Sequence, residues 1–340
     1  MTTDKKPLRS VRSYGPKDKD GFIHRSWMKS GVVAGFHELT QRFPDKFHMI
    51  LPKGNPNYKD LPGLSVLLGG MWVMNISYWG FNQYIIQRAL AAKNIREAQK
   101  GIVLAAFLKL LMPVIIVLPG IAAVALAPNL ARPDEAYPHL MAMLPTGLLG
   151  LVFAALIAAI VASMGSKINS IATIFTMDVY RPLRPQSSQR NLVLIGRITA
   201  AVALIVAIVM AKPLLGSFTQ TFQYIQEFTG FFTPGICVIF LLGMFWERCT
   251  ALGAMAAAVA SVLLSGALYL GWPSLPFMDR VGLVFVASFG VAIVLSLLQG
   301  PRESALRVDL KQVDYSTSVG FNVAALAVTA ILAGVYAAWW

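Results

Sequence analysis

Charge is scarce in this 340-residue sequence. Only 13% of its residues are Asp, Glu, Lys or Arg, against about a quarter in water-soluble domains. With 56% hydrophobic residues and a mean hydropathy of +0.62, a free soluble domain is excluded and an all-α integral membrane protein is expected. Acidic groups are the scarcer sign, 16 against 29 Lys and Arg. The resulting +13 and a pI near 9.9 would suit nucleic acid. The cations, however, fall between apolar segments rather than on one patch interleaved with aromatics, so nucleic acid is not expected as a partner. Cysteine is nearly absent. If the helix between them is continuous, Cys237 and Cys249 are expected about 18 Å apart, which excludes a disulfide across it and leaves them as packing residues. His37, Glu38 and Gln41 imitate a zinc-protease motif, but the second histidine is missing and no helix of the needed length is expected, so metal chemistry is not expected there. No span holds paired carboxylates, a His pair or a Ser/His arrangement, and neither an enzyme nor an organic cofactor is expected.

Long apolar runs are abundant. A window of about 20 residues places eight spans, at about 64–90, 101–127, 146–178, 192–211, 219–245, 250–271, 280–298 and 320–339. Arg88, Lys93, Arg96 and Lys100 follow the first span. Arg181, Arg184, Arg190 and Arg197 surround the loop after the third, and Arg302, Arg307 and Lys311 follow the seventh; these loops are expected on the cytoplasmic side. The less basic loops, with Asp134 and Glu135 or with Asp279 and Arg280, are expected outside. Residues 1–30 are charged, lack the apolar core of a signal peptide and are expected to be poorly ordered. Residues 31–63, with Phe36, Phe43 and Phe47 among prolines and asparagines, are expected to form a folded extracellular loop capping the first span.

Several polar residues sit where lipid would not tolerate them. The first span is interrupted by Asn75, Ser77, Tyr78, Trp79, Gly80, Asn82 and Gln83. Such residues can glue helices together. So many hydrogen-bonding groups at one depth, beside a glycine that breaks the helix, favour a solute-binding site. Lys109 lies about 12 Å inside the second span, beyond comfortable snorkelling reach, and must meet a carboxylate, backbone carbonyls or the hydroxyls of a polyol. In the fifth span, Gln223, Gln226 and Glu227 precede a Gly/Pro-rich break from Gly230 to Gly235, so either glutamine could present its amide to a solute. In the third span, the Ser163 hydroxyl and the carbonyls near Ala159 offer oxygens that a hard cation prefers, although serines there also serve as interhelical glue. Lys167, one turn below Ser163, either snorkels to the inner surface or pairs with Asp178.

Four stretches, read together, resemble the sodium/solute symporter family, most closely its bacterial sodium/galactose (sodium/glucose) branch. They are Gly69 through Ala89 (GGMWVMNISYWGFNQYIIQRA), EAQKGIVLAAFLKL through Lys109, NSIATIFTMDVYRP ending at Pro182, and FQYIQEFTGFFTPG from Phe222; the match runs from about Gly31 to Trp340. The resemblance implies the broken-helix fold of five-plus-five inverted repeats, with residues 64–245 as the second repeat and 246–340 as three trailing helices. It implies that Asn75, Lys109 and Gln226 hydrogen-bond a hexose while Tyr78 stacks on the ring and gates the inner exit, supported by Trp79. It further implies that the Ala159 carbonyl and the Ser163 hydroxyl contribute to a site for sodium, the coupling ion. Ala162 departs from the pattern, which has a second serine there. A multi-pass protein of the plasma membrane is expected, with a sugar, sodium and lipid as its partners. The spans of the first repeat have no counterpart in this sequence, so a truncated and possibly inactive form is the expectation; a non-transporting solute sensor or binding subunit is the alternative.

Overall fold

A computed structural model describes residues 35–59, 63–215, 221–300 and 313–340, and the regular secondary structure among them is helical. The expected disordered stretch 1–30, and Arg302, Arg307 and Lys311, lie outside the described residues. The chain runs through α1 (35–42), α2 (Leu64–Leu68), α3 (Gly70–Ile76), α4 (Gln83–Leu90), α5 (Ile95–Leu110), α6 (Leu118–Leu126), α7 (Ala136–Ala142) and α8 (Thr146–Ile174). It continues with α9 (Arg181–Leu183), α10 (Gln189–Leu215), α11 (Thr221–Thr229), α12 (Thr233–Phe245), α13 (Ala251–Gly271), α14 (Phe277–Gln299) and α15 (Val319–Ala338).

Among the described residues, six stretches are long and apolar enough to cross a bilayer: Ile95–Leu126, Thr146–Leu183, Gln189–Pro213, α13, α14 and α15. A seventh arises if α11 and α12, bent by 43° at their junction, count as one span. Single π-helical turns, Pro113–Val117 and Phe175–Tyr180, carry the first two stretches through without ending them. Leu104, Val161 and Ile208 stay exposed on these rods, as side chains facing lipid must.

The first expected span, 64–90, is not one rod. The chain leaves helical geometry at Gly69 (φ −132°, ψ −98°) and again at Asn82 (φ −86°, ψ 112°), with a π turn, Ser77–Phe81, between α3 and Asn82. The expected break at Gly80 is therefore displaced by two residues. Gly80 has open space where a side chain would go, so nothing packs the chain out of helix there. Asn82 instead takes the position that begins α4, where extended backbone suits an asparagine.

Two compact units are present. In the smaller (35–48, 111–144 and Trp339), Leu39 of α1 is fully buried against Ala122 of α6, with Phe43 and Phe47 around them. This packing explains how so short a helix persists. α1 therefore forms as a helix of only eight residues, and the imidazole of His37 is engaged by Gln41 Nε2 at 3.0 Å.

In the larger unit, α12, α13 and α14 pack through small residues, with Gly253, Ala257 and Ser261 of α13 buried beside Ser288, Ala292 and Ser296 of α14. Thr250 caps α13 by accepting from the Gly253 N–H at 3.2 Å, and its own N–H donates to Ser296 Oγ at 3.1 Å. Helix α3 lies on α14 at a glycine crossing, Gly70 against the backbone of Met278 and Gly282 against Gly69 and Gly70. Phe81 stacks on Phe240 at 4.8 Å, tying the π turn to α12. Cys237 is fully buried beside Val73 and Val281. Burial also pushes the thiol of Cys249, in the loop before α13, above its usual range, in keeping with packing rather than reactivity.

Candidate functional site

The π turn widens the helix at Ser77–Phe81 and turns its aromatic residues outward: Ser77 is buried, whereas Tyr78 and Trp79 are about two-fifths exposed. Their rings meet edge to face at 5.4 Å, and Tyr78 meets Tyr84 of α4 in the same way at 6.0 Å. The Tyr84 hydroxyl donates to the Tyr78 hydroxyl at 2.8 Å, which leaves the Tyr78 O–H free to donate outward. One turn earlier, Asn75 Nδ2 donates to the Met71 carbonyl at 2.9 Å. Its amide oxygen is thereby left as an acceptor, and the amide orientation is held by its own helix.

Lys109 reaches this cluster from α5. Its Nζ lies 5.7 Å from the centre of the Trp79 ring, and among the described residues no carboxylate pairs with it. A cation over an indole is stabilised by roughly 0.5–2 kcal/mol, while its N–H groups stay available for neutral oxygen acceptors. Within the chain, Lys109 thus rests on a π face, a neighbour outside the carboxylate, carbonyl and polyol alternatives that the sequence posed. Lys167 likewise does not pair with Asp178; its Nζ lies 5.4 Å from the centre of the Tyr84 ring. Beside it, Arg88 donates to Ser166 Oγ at 2.7 Å, and Ser166 donates to the Ala162 carbonyl at 3.0 Å, joining α4 to α8.

Gln226 sits on α11, half-buried, and makes no hydrogen bond to Asn75, Tyr78 or Lys109. The structure therefore brings Tyr78, Trp79 and Lys109 into one cluster with Asn75 a turn away, and leaves Gln226 on a separate element. That element ends in the 43° bend at Gly230–Phe232. Its orphaned backbone groups are satisfied by Ser261 of α13, whose hydroxyl donates to the Phe231 carbonyl at 2.9 Å and accepts from the Gly235 N–H at 3.0 Å. A cavity of about 1060 Å³, lined by Arg184, Arg190, Ser187 and Asn191, lies at the loop between α9 and α10 and not at these residues.

For a sodium ion as cargo, Ala159 and Ser163 share a face of α8, and Ser163 is exposed. Their oxygens have the right chemistry, but two donors are fewer than a hard cation takes. Ala162 lacks a side-chain oxygen, and its carbonyl already accepts from Ser166.

Two features escaped sequence reading. Tyr84 lies six residues from Tyr78, a spacing that no helical periodicity brings together without the intervening π turn and break. Arg280, expected in an exterior loop, is instead 4% exposed in the first turn of α14 and pairs with Glu227 at 2.8 Å.

Residues 28–261 match the family described as sodium:solute symporter. The chain belongs to that family. It is 45% identical over 329 residues to a sodium/glucose cotransporter of Vibrio parahaemolyticus, a match covering 91% of this chain and 60% of the relative. It is 37% identical over 239 residues to the human sodium/myo-inositol cotransporter 2, covering 65% of this chain and 35% of that protein. A mouse sodium/myo-inositol cotransporter is 35% identical over 276 residues, covering 68% and 38% respectively. The chain thus spans about three-fifths of the bacterial relative's length and just over a third of the mammalian ones'. As a symporter-family member with six helices able to cross a bilayer, it is a multi-pass membrane protein.

Proposed function

We propose that this chain carries the sugar- and sodium-contacting face of a sodium-coupled symporter for a hexose or a related polyol. The observation that carries the reading is Lys109, held over Trp79 beside Tyr78 with no carboxylate among the described residues paired with it. An ammonium so placed keeps its N–H donors for the hydroxyl oxygens of an uncharged solute. The Asn75 amide oxygen accepts a sugar O–H, and the Tyr78 ring offers a flat apolar face to the C–H side of a pyranose. Tyr78 moving with the π turn opens the inner exit, and Trp79 supports it. Gln226 approaches from α11 as the bend at Gly230–Phe232 changes. Sodium takes the Ala159 carbonyl and the Ser163 hydroxyl among its ligands. Coupling requires that each ligand bind better in the other's presence, by about 1–3 kcal/mol in typical cases.

Labelled glucose binding to the full chain in nanodiscs, with sodium or with choline at equal ionic strength, tests this. Sodium-dependent binding is expected, weakened by roughly 10- to 100-fold in Lys109→Ala, because a hydrogen bond from a charged group is worth about 1.5–3 kcal/mol. Unchanged affinity in both Lys109→Ala and Gln226→Ala would overturn the hexose reading. Binding without sodium-driven uptake into proteoliposomes would favour a solute sensor or binding subunit. A second measurement addresses the ion: Ala162→Ser adds an oxygen beside Ser163 and is expected to lower the sodium concentration for half-maximal glucose binding by about tenfold. An unchanged sodium requirement would remove Ala162 from the ion's surroundings.

A further inference from the structure

A guanidinium buried in the first turn of a helix is electrostatically misplaced, because the positive end of the helix dipole lies there. Arg280 occupies that position in α14. Its surroundings compensate from outside the helix. Glu227 Oε1 of α11 accepts from its Nη2 at 2.8 Å, the Phe231 ring centre lies 5.2 Å from its guanidinium carbon, and the Tyr269 ring centre of α13 lies 5.1 Å away. Arg280 therefore touches the broken span twice, once on α11 before the break and once inside it. The next residue, Val281, packs at the break itself, where a side chain added to Gly230 would come within 3.1 Å of it.

α12 packs broadly on α3, α13 and α14, and the Glu227–Arg280 pair joins α11 to α14. Gln226 immediately precedes Glu227, about 100° around the helix from it. Whatever sets the direction of Glu227 also sets where the Gln226 amide points.

We propose that the Glu227–Arg280 ion pair, enclosed by Phe231 and Tyr269, is the latch that orients α11, making Arg280 a positioning residue for Gln226. The latch itself stands on the geometry above, and its consequence for the solute rests on the sugar role of Gln226. With the pair closed, α11 is held to α14 across the bend; with it open, α11 swings about Gly230–Phe232 and carries Gln226 away.

Spin labels at Phe222→Cys on α11 and Leu283→Cys on α14, both exposed positions, read the latch in the full chain in nanodiscs, with Cys249 replaced by Ala and Cys237 buried. A narrow distance distribution is expected with the pair intact, a broad one in Glu227→Gln and in Arg280→Met, and a narrow one again in the exchange Glu227→Arg/Arg280→Glu. Labelled glucose affinity is expected to fall about tenfold in Glu227→Gln and to fall no further when Glu227→Gln is added to Gln226→Ala. Monodisperse elution of each variant separates a swinging helix from an unfolded one. A distribution that stays narrow in Glu227→Gln and Arg280→Met overturns the latch. A broadened distribution with glucose affinity unchanged in Glu227→Gln and in Gln226→Ala upholds the latch and overturns the sugar role of Gln226.

Discussion

Gly70→Ala is expected to lift α3 off α14 and to destabilise the folded chain by more than about 3 kcal/mol. One methyl suffices because it would fall on the backbone carbonyl of Met278, with the Met278 Cα only 3.0 Å away, and no side chain can rotate to make room. Overpacking against side chains costs about 1–3 kcal/mol, and an obstruction by backbone lies at or above the top of that range. Gly282 presses the crossing from the other helix, where an added Cβ would meet the Gly70 nitrogen at 3.1 Å. The effect reaches the site, since α3 carries Asn75 and leads directly into Tyr78 and Trp79. Thermal unfolding in detergent, followed by tryptophan fluorescence, should register the loss together with lost glucose binding. Gly80→Ala is the control: an added methyl there meets nothing within 4 Å. Equal melting temperatures for the two variants would show that the α3–α14 crossing is not as tight as described.

The second large effect is expected at Ser261→Ala. The hydroxyl is fully buried and serves both ends of the broken span, accepting from Gly235 N–H and donating to the Phe231 carbonyl. Its removal leaves two backbone groups unpaired where no water reaches. Each such group costs about 1–3 kcal/mol, so a combined loss of roughly 2–6 kcal/mol is expected in the same unfolding assay. Ser288 supplies the comparison, for it is equally buried but its hydroxyl has no partner among the described residues, and Ser288→Ala should be near neutral. If the two variants lose the same stability, Ser261 contributes volume alone and the bend needs no hydroxyl.

How legible these features were depended on which solvent imposed them. A bilayer demands unbroken apolar length, so α8, α10, α13, α14 and α15 stood out as runs in the sequence, within a few residues of where they lie. The bend before α12 was legible because glycine and proline mark it locally. In 64–90 a break was legible from Gly80 but not its position, because the breaks at Gly69 and Asn82 accompany a helix crossing on α14 that no neighbouring residue announces. Arg280 misled, because a charge at the edge of an apolar run resembles a loop residue until its partners are known.

The sequence by itself determined the membrane class, the helical build and the family, since these follow from composition, run length and motifs that are continuous along the chain. Only the tertiary structure decided that Lys109 rests on Trp79, that Lys167 rests on Tyr84 rather than beside Asp178, and that Arg280 clasps Glu227. The reason is physical: in a medium without water, a buried charge or an orphaned amide must find its partner within the protein, and these partners come from segments far apart along the chain.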